Sequence, residues 1–325
     1  MNKKLIIGIA TVVLVAAIVI VAMLPGGNAK PDDDGVVQIG ICQLDAHPAL
    51  DAATEGFVAA VKAQLGEDKV QIDVQNAAGE INNCTNIINA FVSKNYDLIM
   101  ANATPAVQTA AAATAMIPIL GTSVTEYGVA LGIDNFTGVT GMNVSGTSDL
   151  APLDQQAQML LNLVPTAQTV GIIYCSGEPN SQYQVAKVKE YLEGKNIAVK
   201  LYSFVDSNDL PAVTQQAVAE VDAIYVPTDN KVASSTGIID NICRPAGIPI
   251  VAGEEGIAKG CGIAALSISY YDLGYKTGEM AAKILKGEAK VSEMAIEYAT
   301  PTYKYNAEIC QELGITVPEN YEAIQ

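Results

Sequence analysis

The chain has 325 residues, half of them hydrophobic and 16% charged, with 35 acids against 18 bases and a net charge of −17. That length suits about two α/β domains, the apolar fraction excludes a disordered chain, and the negative charge disfavours nucleic acid as the main partner. The charge is uneven: residues 1–30 hold three lysines and no acid, which leaves 15 bases against 35 acids beyond them, a net −20.

After Met1-Asn2-Lys3-Lys4 comes an uncharged run of 20 residues, Leu5 to Leu24. At about 1.5 Å per helical residue it is long enough to cross a ~30 Å hydrocarbon core. The lysines before it and Asp32, Asp33 and Asp34 after it orient the N-terminus inside and the rest of the chain outside. Residues 1–30 are read as a cleaved signal peptide or an uncleaved anchor, followed by a tether over 31–35. Six cysteines in an exported domain allow disulfides or buried free thiols, and Cys42 and Cys84 fall where they can approach one another. One histidine and scattered cysteines lack the ligand spacing of a zinc site, so neither metal nor cofactor is expected.

Short β-branched runs then alternate with Ala-rich stretches of helical periodicity. Strands are expected over Val36–Ile41, Val70–Val74, Asp97–Ala101, Ile117–Leu120, Thr169–Tyr174, Ile197–Ser203, Asp222–Val226 and Ile248–Val251, with helices between them and from Tyr271 to Leu285. Pro48, Pro105 and Pro152 suit first-turn positions, where a missing N–H costs nothing. Such alternation predicts an α/β fold with parallel, doubly wound sheets. A Gly-, Thr- and Asn-rich stretch from Gly128 to Gly146 interrupts the rhythm and is read as a crossover between two similar halves.

Ligands of open α/β sheets bind at the carboxyl ends of strands, and several polar turns fall there. Thr104 opens a helix with Pro105 behind it, and it is either a plain N-cap or a donor to a carboxylate. Thr122 follows the next strand. In the second half Asp229 is either an N-cap or the partner of an ammonium group. Tyr174 precedes the polar loop Cys175–Ser181, and Glu254 follows a strand ending near Val251. Together these put donors, acids and an aromatic ring on matching strand ends, as a cleft between two lobes requires. Catalysis finds no support: the one histidine, His47, reads as a cap or cleft-lining residue, and no GxSxG, HExxH or phosphate loop is present.

These residues resemble a known family. Ile39-Gly-Ile-Cys-Gln43 with His47-Pro-Ala-Leu-Asp51, Ala101 to Gln108, Gly138-Val-Thr-Gly141 with Ser148-Asp149, Glu178-Pro-Asn-Ser181, Asp222 to Asn230 and Leu313 to Pro318 are similar to stretches of the substrate-binding proteins of ABC transporters, tryptophan/tyrosine-type, with the type I periplasmic-binding-protein fold. The resemblance implies two Rossmann-like lobes on a three-segment hinge, with 36–142 plus 253–287 as lobe 1 and 143–252 plus 288–325 as lobe 2. It implies a monomer that binds an amino acid with an aromatic side chain and passes it to a permease, outside the cytoplasm. A nucleoside or sugar ligand, or a sensing role as an ectodomain, stays open. Thr104 and Thr122 become candidate carboxylate donors, Gln43, Ser148 and Asp149 cleft polar groups, and Asn180, Asp229 and Glu254 groups of the opposite side, with Asp229 for the ammonium. Tyr174 and Tyr127 become candidate stacking rings.

Overall fold

The computed structural model describes residues 35–325. The apolar run Leu5–Leu24 lies outside the described residues, and no described helix is long and apolar enough to cross a membrane.

The first half alternates as expected through β1 (Val37–Gln43), α1 (Pro48–Leu65), β2 (Val70–Asn76), α2 (Ile81–Ser93), β3 (Leu98–Asn102), α3 (Thr104–Ala113) and β4 (Ile119–Val124), and then forms α4 (Tyr127–Leu131) and β5 (Val144–Ser148) where a crossover was expected. The second half runs α5 (Leu153–Leu163), β6 (Thr169–Cys175), α6 (Pro179–Gly194), β7 (Ala198–Phe204), α7 (Leu210–Val218), β8 (Ala223–Val226), α8 (Asn230–Ala233), α9 (Thr236–Ala246), β9 (Ile250–Ala252), α10 (Glu255–Cys261) and β10 (Ala264–Ser267). The chain ends with α11 (Tyr270–Leu285), β11 (Glu297–Tyr298), β12 (Thr302–Tyr305), α12 (Ala307–Leu313) and β13 (Glu322–Ala323).

Two sheets result. The first has the order β11-β5-β4-β3-β1-β2 and is parallel throughout; the second has the order β13-β12-β10-β9-β8-β6-β7 and is parallel except where β12 meets β10. Strict alternation along each strand feeds a core on both faces. Ile39, Ile41, Leu98 and Met100 pack with Phe57 of α1 and Met280 of α11, while Ile99 and Ala101 pack with Ile88, Phe91 and Val107 from α2 and α3. In the second sheet Val170, Ile172 and Tyr225 face α5 and α6, and Ile173, Ile224 and Val226 face α7, α9 and α10.

The sheets place three segments differently from the expected lobe boundaries. β5, expected with the second lobe, pairs with β4 in the first sheet; β10, expected with the first, pairs with β9 in the second; and β11 pairs with β5. The sequence of β5, Val-Ser-Gly-Thr-Ser, carries no apolar run because its buried hydroxyls are satisfied internally: Ser145 donates to the Met294 carbonyl and Thr147 lies 2.8 Å from the Thr277 hydroxyl. Gly146 has φ 144°, and a Cβ there would overlap the Gly121 carbonyl, so only glycine lets the two strands approach. The chain therefore passes between the sheets at 149–152, at 268–269 and at 299–301.

The return of α11 to the first lobe rests on backbone contact with α1. A Cβ at Gly274 would overlap the Ala53 carbonyl, and one at Gly278 would sit 2.6 Å from the Ala60 methyl. All six cysteines are free thiols buried in the cores. Cys42 and Cys84 are neighbours, and the hydrogen bond to Cys84 together with burial holds the Cys42 thiol far above its ordinary pKa.

A cleft lined by unpaired polar groups

The carboxyl ends of both sheets face each other across a narrow cleft. On the first side, β1 runs through a short loop to His47, the N-cap of α1, whose extended backbone (φ −159°, ψ 161°) leads to Pro48 while its ring makes no capping bond. Helix geometry leaves the Ala49 and Leu50 N–H groups outside the helical ladder, and both residues line the cleft. Two neighbouring strand ends carry non-glycine residues at positive φ, Ala103 at 91° and Ser123 at 55°, a conformation that persists only where its surroundings impose it. At Ser123 the β4–β5 pairing shifts register between Gly121 and Val124, and this irregularity re-aims the side chain. Ser123 Oγ is buried with no hydrogen-bond partner among the described residues.

Asp149 starts the first crossing between sheets, and Tyr270 follows the second. Tyr270 Oη donates to Asp149 Oδ2 at 2.9 Å, whereas Asp149 Oδ1 is buried and unpartnered among the described residues. Burial lifts the Asp149 carboxyl to about 6, against the pull of the hydrogen bond from Tyr270.

The second side is a connected network. Glu178 accepts from Asn230 N at 3.1 Å and Nδ2 at 2.6 Å, from Lys231 N at 3.0 Å and from Asn180 Nδ2 at 3.1 Å. Asn180 Nδ2 also donates to the Thr228 carbonyl at 3.0 Å, which leaves Asn180 Oδ1 unpartnered among the described residues. Asn230 Oδ1 stands 3.3 Å from His47 Nε2, a polar contact between the two sides. Burial keeps the His47 ring below its ordinary pKa, opposed mainly by its bond with Asn230.

The other two cleft carboxylates are occupied. Asp229 caps α8 by accepting from Val232 N at 3.0 Å, and its second oxygen accepts from Cys175 N at 2.7 Å and Ser181 Oγ at 2.8 Å. Glu254 caps α10, accepting from Gly256 N at 2.6 Å and from Ile257 N. Burial first, with the charge of Glu178 next, moves Asp229 up to about 7, and burial moves Glu254 up to about 7.

Of the residues singled out in the sequence, Asp149, Asn180, Asp229 and Glu254 meet at this cleft. Gln43 is spent on Asp45, Asp51 and Thr54. The Thr122 hydroxyl pairs with Thr147 at 3.2 Å, and Ser148 donates to the Thr125 carbonyl at 2.8 Å. Thr104 is buried with its hydroxyl unpartnered among the described residues, but it stands outside the cleft lining. Tyr174 packs on the second core, and Tyr127 is buried in the first, donating to the Thr147 carbonyl at 3.1 Å. His47, Ser123, Asn230 and Tyr270 join the cleft without having been chosen as ligand contacts. Ser123 was one residue from the chosen Thr122, and a strand's two-residue period makes that step a change of face.

The space enclosed is small, about 10 Å³, roughly that of one water. Outward from Asn230 it adjoins a vestibule of about 300 Å³ walled by Leu44, Ile81 and Pro105 from one side and by Cys175, Val205 and Lys231 from the other. A larger groove of about 650 Å³ runs along α6 beside Tyr183 and Tyr191, away from the orphaned groups. No cluster with metal-ligand composition occurs among the described residues.

The fold and sequence have known relatives. A tyrosine-binding protein of Clostridioides difficile (strain R20291) is 38% identical over 264 residues, 81% of this chain and 76% of that protein. The crystal structure of a Streptococcus pneumoniae ABC domain in complex with L-Trp superposes with a TM-score of 0.83 at 31% identity, covering 87% of this chain and 96% of that one. The ligand-free, open structure of a Clostridium difficile substrate-binding protein with adhesive properties gives 0.68 at 39% identity, covering 89% and 99%. Shape thus follows the liganded relative although sequence is nearer to the open one, in accord with the small enclosed space. The sequence profile of the family described as ABC transporter substrate binding protein matches residues 38–324, and the chain belongs to that family of extracytoplasmic binding proteins.

Proposed function

We propose that the protein captures a free α-amino acid with an aromatic side chain between its two lobes and hands it to an ABC permease on the outer face of the membrane. One observation carries this reading: buried, unpartnered groups at Ser123, Asp149 and Asn180 converge on one space. A buried polar group without a partner costs about 1–3 kcal/mol, so a ligand that supplies the partners is favoured. The Asp149 and Asn180 oxygens suit an ammonium group. The Ser123 hydroxyl, with the free N–H groups at the start of α1, suits a carboxylate. The tyrosine-binding relative and the L-Trp complex support an aromatic side chain.

Capture requires the lobes to part and close again about the three crossing segments, since an enclosed space of about 10 Å³ admits no amino acid. Ligand contacts from both sides then favour closure. The apolar run Leu5–Leu24 supports delivery at a membrane surface, as a cleaved signal or as an anchor, and the protein is read as acting as a monomer without cofactor or catalysis.

The test is a thermal-shift screen of the purified protein against amino acids, nucleosides and sugars, followed by calorimetry. Ligand at 100 times its Kd adds ~2.7 kcal/mol of stability. The expected result is a shift with L-Tyr, L-Trp or L-Phe; a shift with sugars or nucleosides alone overturns the assignment.

A further inference from the structure

The groups assigned to the ammonium and carboxylate leave one buried cleft atom unused, His47 Nδ1. His47 is 7% exposed and its Nδ1 is buried with no hydrogen-bond partner among the described residues. Its chemical state follows from its neighbours. Asn230 Nδ2 is engaged by the Glu178 carboxylate at 2.6 Å, which turns Oδ1 of the same carboxamide toward His47 Nε2 at 3.3 Å. A carboxamide oxygen only accepts, so Nε2 carries the proton, and in a neutral imidazole Nδ1 is then a bare lone pair. Burial lowers the ring's pKa and so favours this neutral form.

Position decides what this acceptor meets. Asp149 and Tyr270 stand at the crossing segments, the inner end of the cleft, whereas Asn230 borders both the enclosed space and the vestibule. An amino acid held at Asp149 by its ammonium therefore directs its side chain outward past the His47–Asn230 pair, toward the apolar surfaces of Leu44, Ile81, Pro105 and Val205.

We propose that His47 is a specificity-determining residue whose Nδ1 accepts a hydrogen bond from a side-chain donor of the ligand, a phenol O–H or a ring N–H, so that the site selects hydrogen-bonding aromatic amino acids over those with a plain phenyl ring. This rests on the amino-acid reading above. Glu178 and Asn230 act as positioning residues that fix the tautomer.

His47 is the single histidine of the chain, so ring ¹⁵N NMR of the labelled protein reports it without ambiguity. The expected spectrum has an unprotonated Nδ1 and a protonated Nε2, with Nδ1 shifting on addition of L-Tyr or L-Trp but not of L-Phe. Calorimetry of the intact protein should show L-Tyr or L-Trp bound about tenfold more tightly than L-Phe, the size expected when a buried acceptor loses its donor. His47→Leu removes the contact with Asn230 whichever ligand is bound and so should weaken all three, but it should bring the ratio between them to near one, and His47→Asn, which keeps an acceptor near the position of Nδ1, should restore part of that ratio. Retention of L-Phe binding shows that His47→Leu is folded. A protonated Nδ1, or a ratio unchanged in His47→Leu, overturns the proposal while leaving the amino-acid reading intact. Failure of the wild type to bind any of the three overturns both.

Discussion

Asp149 receives the Tyr270 hydroxyl at 2.9 Å on one carboxylate oxygen and keeps the other unpartnered among the described residues. Because Asp149 opens the first crossing segment and Tyr270 directly follows the second, this bond ties an acid of the cleft to the hinge. Asp149→Asn is expected to weaken amino-acid binding by more than tenfold, since an amide removes the charge that an ammonium needs. Tyr270→Phe keeps the charge and should cost less. Calorimetry on both variants checks the order; equal losses would assign Tyr270 a contact of its own.

The buried acids set a pH dependence with two opposing signs. Folding lifts Asp149 to about 6 and Asp229 and Glu254 to about 7, so between roughly pH 4 and 7 the folded state holds protons that the unfolded chain has lost. Their contribution to stability is complete below the unfolded values and is lost as pH rises through 6 to 7. The ligand-free protein should therefore melt higher at pH 5.5 than at pH 8. Ammonium binding needs ionised Asp149 and should weaken below pH 6, by up to about tenfold per unit. Melting curves and calorimetry over pH 5 to 8 test both signs.

Asp229 serves the fold whatever else it contacts. Asp229→Ala removes the cap of α8 and orphans Cys175 N and Ser181 Oγ. At about 1–3 kcal/mol for each buried group left unpaired, the loss should be at least about 2 kcal/mol, visible in urea unfolding of the ligand-free protein. An unchanged midpoint would contradict the network.

Gly274 stands where α11 meets α1. A methyl at that position overlaps the Ala53 carbonyl, and a backbone atom cannot rotate away. Gly274→Ala should destabilise by about 1–3 kcal/mol, whereas Gly194→Ala, where added carbon meets open space, should be near neutral. Thermal unfolding of the pair separates crowding from any general effect of replacing glycine.

The six buried thiols should resist Ellman's reagent in the native state and react together on unfolding. Burial also raises the pKa of Cys175 to about 11 and of Cys310 to about 11, which lowers their thiolate fraction further. Fast labelling of one thiol would expose an opening of the fold that the closed structure does not contain.

Each of the eight strands expected from the sequence is present to within four residues at either end, and the central ones announce themselves locally because they are apolar runs buried on both faces. β5 and β10 were not legible, as the short β11, β12 and β13 were not. The Ser and Thr of β5 are buried only because partners such as Thr277 and the Met294 carbonyl come from elsewhere in the chain, and Ala-Ala-Leu-Ser in β10 is as compatible with a helix. Missing those two strands shifted the expected lobe boundaries by about 6 and 15 residues.

For the site, the sequence put Asp229 and Glu254 at strand ends and the family resemblance added Asp149, and the structure brings the three to one cleft, since polar turns after buried strands mark where a parallel sheet is open to ligand. The sequence did not tell which hydroxyl or which acid was free. Thr122 and Ser123 are adjacent and chemically alike, and only a register shift of β4 turns Ser123 toward the cleft. Asp229 and Asp149 differ because one finds three internal donors and the other leaves an oxygen bare.

The uneven charge, the alternation of strand and helix and the strand-end position of the polar turns were determined by the sequence itself, because each depends on residues near one another in the chain. Only the tertiary structure decided which polar atoms remain unpaired. Hydrogen-bond satisfaction is a property of distant segments brought together, as when Asn230 meets His47 or Tyr270 meets Asp149, and no local pattern encodes it.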